Sequence, residues 1–91
     1  HKGYRIETEE IYSALSNIGY NNSCVLHMKQ KIVVVLETPQ IPDSSLIRKE
    51  LSNALEHYAI PDVILNIPAF PRNDNGKIDR KKIKEIIKEK F

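Results

Sequence analysis

Apolar residues recur along this chain in two rhythms, one helical and one strand-like. Ile11, Leu15 and Ile18 fall at i, i+4 and i+7, a single stripe that predicts a helix. Glu9 and Glu10 stand where a first helical turn favours negative charge, and Gly19 follows the stripe as a terminator. Ahead of the helix, Tyr4 to Glu7 is expected to extend as a short strand. Ser23 to Met28 and Ile32 to Glu37 then read as two strands around a polar connection of hairpin length, Lys29-Gln30-Lys31. In Ile32-Val33-Val34-Val35-Leu36 every position is apolar and most are β-branched, so this strand is expected to be covered on both faces.

Pro39 and Pro42 interrupt the pattern. Asp43 or Ser44 can cap a second helix, whose stripe is Ile47, Leu51, Ala54, Leu55 and Tyr58, stopped by Pro61. Val63-Ile64-Leu65 predicts a third strand, and Asn66 to Asn75, with Pro68 and Pro71, a loop. Asp79 is placed to open a last helix running to about Lys90, with Ile83, Ile86 and Ile87 as its apolar stripe. The expected fold is α+β: a small three-stranded sheet, antiparallel or mixed, with about three helices packed on it.

The chain has 91 residues, enough for one domain with a modest core, taken as 1–91. With 41% hydrophobic and 29% charged residues it has the balance of a folded protein rather than a disordered one. A formal net charge of +2 argues against a general polyanion binder. The last helix is rich in lysine, but Glu85 and Glu89 interleave and no aromatic residue does, so a solvated face is favoured over nucleic acid. No apolar run is long enough to span a membrane. The single cysteine, Cys24, sits in an apolar run and is expected to be a buried structural thiol. One cysteine also suits a reducing, cytoplasmic compartment. His1, His27 and His57 have no metal-ligand spacing, so no metal site is expected. With three glycines in all, there is no Gly-rich phosphate loop. The chain alone does not read as a complete enzyme. Asn75-Gly76 makes a sharp turn that displays Lys77, a long-reach cation able to meet a phosphate or carboxylate oxygen, with Asp79 as the cap behind it.

Two separated segments together resemble one family. Gly3-Tyr4-Arg5-Ile6-Glu7, followed by Glu10-Ile11, resembles the segment just after the hinge of adenylate-forming enzymes. Tyr58-Ala59-Ile60-Pro61, a proline-containing loop and Asn75-Gly76-Lys77-Ile78-Asp79-Arg80-Lys81 resemble their closing motif. Ala59 stands where the family often has Met, and Arg72-Asn73-Asp74 replaces a more usual Leu-Thr-Pro. The family's members use ATP and Mg²⁺ to turn a carboxylic acid into an acyl-adenylate, then pass the acyl group to a thiol. The resemblance implies a C-terminal lid that rotates over a large N-terminal domain. That domain would hold most of the ATP and magnesium contacts and the acid pocket. It also implies that Lys77 is catalytic, and that Gly3, Tyr4 and Arg5 line the channel for a pantetheine thiol. Asn75, Gly76 and Asp79 would support the turn and cap. The wording of the closing motif is closest to adenylation domains of nonribosomal peptide synthetases. It favours the phosphopantetheine thiol of an acyl or peptidyl carrier protein over coenzyme A. His1 is not an initiator Met, and the hinge motif is expected just upstream, so the chain reads as a fragment inactive alone. The competing class is a non-catalytic module that docks a carrier protein or another subunit.

Overall fold

A computed structural model describes residues 4–90, with side chains from residue 8 onward. The elements run α1 (Tyr4–Asn17), β1 (Ser23–Met28), β2 (Lys31–Glu37), α2 (Ser44–Leu51), a 3-10 turn (His57–Ala59), β3 (Val63–Ile67) and α3 (Arg80–Lys88). The sheet order is β1-β2-β3, with β1 antiparallel and β3 parallel to the central strand. The mixed α+β sheet expected from the pattern is therefore present.

Strand β2 explains the layering. Its side chains alternate, so Ile32, Val34 and Leu36 face one core while Val33 and Val35 face another. The first core takes Ile11, Ala14 and Leu15 from α1 and Ile47 and Leu51 from α2. The second takes Cys24, Leu26 and Met28 from β1, with Phe70 and Ile83 and Ile87 of α3. All five residues from Ile32 to Leu36 are buried, as their unbroken apolar run requires.

Strand β1 is an edge, and both backbone polar groups of its Val25 are bonded by side chains. The N–H of Val25 donates to Tyr12 Oη at 2.9 Å, and its carbonyl accepts from Arg80 Nη2 at 2.7 Å. One helix on each face thus supplies a polar clasp to the same edge residue, which leaves less free backbone for another strand to pair with.

Several local expectations are corrected. Tyr4 to Glu7 is not a strand but the first turn and more of α1. No proline or glycine separates these residues from the stripe at Ile11, and extending a formed helix is far easier than starting a new element. At its other end α1 closes as a Schellman motif. Tyr20 N–H donates to Leu15 O at 2.8 Å and Gly19 N–H to Ser16 O at 3.1 Å, with Gly19 at φ 101°. The β1–β2 connection is two residues, not three, because Lys31 pairs with Met28. Lys29 and Gln30 take φ of 51° and 63°, the sign that a tight hairpin turn needs at both positions.

Asp43, not Ser44, caps α2, accepting from Leu46 N–H at 3.1 Å. The helix ends at Leu51 instead of running to Tyr58. Ser52 Oγ turns back to the Lys49 carbonyl at 2.6 Å, the local competition that makes serine a poor helix interior. Leu55 still reaches the core, but Ala54 and Tyr58 are exposed. Strand β3 continues to Ile67, since Asn66 and Ile67 keep register with Leu36 and Glu37. In α3 the inward stripe is Ile83 and Ile87, and Ile86 is largely exposed. No helix among the described residues is long and apolar enough to cross a membrane.

Candidate functional site

The segment 71–79 forms a small hairpin between β3 and α3. Arg72 and Ile78 pair across it as an antiparallel bridge, and Asp79 N–H donates to Pro71 O at 2.9 Å. Asn73 N–H donates to Lys77 O at 2.8 Å and Gly76 N–H to Asn73 O at 2.9 Å. The tight turn is therefore Asn73 to Gly76, and Gly76, at φ 80°, is the left-handed residue that brings the chain back. This corrects the reading of Asn75-Gly76 as the turn itself. Asn75 is a turn residue, and Gly76 is the position where glycine is required.

Asn73, noted in the sequence only as part of a departure from the family's wording, organises the loop. Its Oδ1 accepts from Asn75 N–H at 2.9 Å and from Lys77 N–H at 3.1 Å. The signal was available: asparagine at the first position of a turn commonly bonds its own backbone two residues on. Arg72, noted in the sequence only as a departure from the family's wording, and Glu37, noted there only as the end of a strand, also join the loop. Arg72 Nη1 donates to the Gly76 carbonyl at 3.3 Å, and its Nη2 lies 3.7 Å from Glu37 Oε1. Glu37 comes from β2, thirty-five residues upstream of Arg72, and no local pattern joins the two.

Lys77 leaves this frame exposed to solvent. Its backbone N–H is bonded, while its ammonium has no hydrogen-bond or ion-pair partner among the described residues. Such a cation on a backbone with satisfied polar groups is suited to an anion from outside the chain. Asp79 caps α3 as expected, accepting from Lys82 N–H at 3.1 Å. Arg80, next to it, donates to the edge carbonyl of Val25 and is structural.

The other expected site residues lie elsewhere. Gly3 is outside the described residues. Tyr4 and Arg5 belong to the start of α1, and their side chains are outside the described residues. Cys24 is buried, and burial pushes its thiol up, with Arg80 pulling partly the other way. That suits a packed thiol and not a nucleophile. His27 Nε2 lies 3.3 Å from Thr8 Oγ1. No group of three or more His, Cys, Asp or Glu among the described residues is placed to hold a metal.

Curated relatives match nearly the whole length of this chain. A D-alanine–D-alanyl carrier protein ligase of Listeria monocytogenes is 34% identical over 97 residues, covering 93% of this chain and 19% of its own length. The chain belongs to the adenylate-forming enzyme family. A nonribosomal peptide synthetase of Claviceps purpurea, tcpP, is likewise 34% identical over 87 residues, covering 94% of this chain and 4% of that protein. No family model matches. An AMP-forming acyl-CoA synthetase-like protein from Dyadobacter fermentans has the same fold, with a TM-score of 0.67 and 16% identity. The match covers 91% of this chain and 26% of that one. The fold is that of the small C-terminal subdomain of AMP-binding enzymes. The chain spans under a fifth of the length of either of these curated relatives.

Proposed function

We propose that this chain is the C-terminal lid of an ATP-dependent carboxylate-activating ligase, with Lys77 as its catalytic lysine. The observation that carries the reading is the Lys77 ammonium: exposed, without a partner among the described residues, and held on a hairpin whose backbone is fixed by Asn73. Activation brings a substrate carboxylate against a nucleotide phosphate, two anions that repel. One cation placed between their oxygens lowers that repulsion and holds the approach geometry.

In this reading a large N-terminal domain holds most of the ATP and Mg²⁺ contacts and selects the acid. Magnesium, when bound there, neutralises phosphate charge. This chain supplies the lysine, and Gly3, Tyr4 and Arg5 line the path of the acceptor thiol in a second pose. A phosphopantetheine thiol on an acyl or peptidyl carrier protein is the favoured acceptor. The closing-motif wording supports it, and so do relatives named as a carrier protein ligase and a peptide synthetase. The work would take place in the cytoplasm, and the chain alone would be inactive.

The test is ATP–pyrophosphate exchange by the chain joined to its large domain. Lys77→Ala is expected to lower exchange by roughly two to three orders of magnitude, the usual loss when one preorganised stabilising group is removed. Exchange unchanged in that variant would refute the assignment.

A further inference from the structure

The hairpin that carries Lys77 is tied to the centre of the sheet by one carboxylate. Glu37 ends β2, the strand buried on both faces, and stands in register with Ile67 of β3. Its own N–H donates to Asn22 O at 3.1 Å. Its side chain is only 17% exposed and uses both oxygens. Oε2 accepts from Phe70 N–H at 2.7 Å, just before the hairpin begins. Oε1 accepts from Asn22 Nδ2 at 3.0 Å and faces Arg72 Nη2 at 3.7 Å. Arg72 then passes the connection on, since its Nη1 donates to the carbonyl of Gly76, the residue immediately before Lys77.

The geometry makes this a brace. A guanidinium is a rigid planar fork, so holding one terminal nitrogen against a fixed carboxylate limits where the other can reach. Asn73 shapes the turn internally, but it rides on the turn and cannot fix it relative to the sheet. Ile78, packed against the second core, and the Asp79 cap hold the returning leg. Glu37 and Arg72 hold the outgoing leg and the tip. A lysine has four flexible methylene groups, so its ammonium is placed well only when its backbone origin is placed well.

We infer that Glu37 and Arg72 are positioning residues for Lys77, transmitting the rigidity of the central strand to the lysine's backbone. This rests on the reading of Lys77 as the catalytic lysine. Neither residue needs to touch substrate; both act through where Lys77 starts.

The experiment is a double-mutant cycle on ATP–pyrophosphate exchange in the joined enzyme, with Arg72→Met, Lys77→Ala and the pair. Arg72→Met keeps the aliphatic stem and removes the fork. It is expected to lower kcat about three- to tenfold with KM for ATP unchanged, because a half-exposed ion pair is modest but misplacement near reacting atoms is costly. In the Lys77→Ala background the same change is expected to alter the residual rate less than about twofold, since coupled residues are non-additive. Glu37→Gln, which keeps size and an acceptor for Phe70, is the second variant and is expected to reproduce the Arg72→Met loss without adding to it. If Arg72→Met and Glu37→Gln both leave kcat intact while Lys77→Ala abolishes exchange, the positioning role is overturned and the lysine assignment stands. If Arg72→Met slows the Lys77→Ala enzyme by the same factor as the parent, its effect is merely structural and the inference is overturned. If Lys77→Ala itself has no effect, the underlying reading fails.

Discussion

Asp79→Ala removes the side-chain acceptor at the N-terminus of α3, a helix that begins with three cations. The lost bond is the one from Lys82 N–H to Asp79 Oδ1, 3.1 Å long. Losing such a cap typically costs about 1 kcal/mol, within a range of about 0.5–2. Here the first turn reads Arg80, Lys81, Lys82 with no acidic residue, so positive side chains crowd the positive end of the helix dipole. The Asp79 carboxylate offsets that charge, which moves the expected loss to about 1.5 kcal/mol. For a domain of this size each kcal/mol lowers Tm by about 4–8 °C, so the variant should melt about 6–12 °C lower. Asp79→Asn keeps an acceptor and drops the charge, so it should lose only about 0.3–1 kcal/mol. Thermal melts followed by circular dichroism on both variants measure the total, and amide exchange at Lys82 locates it. A shift under about 2 °C for Asp79→Ala would refute the capping argument. An equal shift for both variants would assign the effect to charge and not to the hydrogen bond.

Three further outcomes follow from single contacts. Gly76→Ala meets no atom within 4 Å, so its cost should be conformational alone, about 1 kcal/mol for an L-residue at φ 80°, read by chemical denaturation. Tyr12→Phe deletes the acceptor for Val25 N–H and should cost about 1 kcal/mol while selectively speeding amide exchange at Val25; uniform acceleration across β1 would contradict the edge clasp. Burial raises the Cys24 thiol above its ordinary value of 9.0, so the folded state holds its proton where the unfolded chain releases it. The stability it contributes is complete below that value and declines as pH rises beyond it. Cys24→Ala should therefore lose less stability than the parent between neutral and alkaline pH in paired denaturation curves.

The parts of the fold that could be read in advance are those where one physical pattern dominates. The unbroken apolar run from Ile32 to Leu36 announced a strand covered on both sides, and that is how β2 is packed. The Asp79 cap followed from its position, and of the expected stripe Ile83, Ile86 and Ile87 the first and last pack inward. The failures occur where neighbours compete. Tyr4 to Glu7 has no breaker on its C-terminal side, so the helix at Ile11 absorbs it. Lys29 and Gln30 adopt positive φ without glycine or asparagine because the β1–β2 register demands a two-residue turn. At the candidate site, Lys77, Asn75, Gly76 and Asp79 lie together in sequence, so a local pattern can point to them as a group. Glu37 contributes through the parallel β2–β3 pairing, a long-range arrangement that no local motif encodes.

The two cores differ in how much of the chain they draw on. Every residue of the first core lies between Ile11 and Ile64, whereas the second needs Ile83 and Ile87 from the end of the chain. The clasp from Arg80 to Val25 spans 55 residues, the longest hydrogen-bonded separation described above. The hairpin that carries Lys77 leads directly into α3, and its returning leg is held by Ile78 against the same core that Ile83 and Ile87 fill. A substitution that loosens α3 from the sheet therefore also loosens that leg, so packing of the second core and placement of the displayed cation are energetically linked.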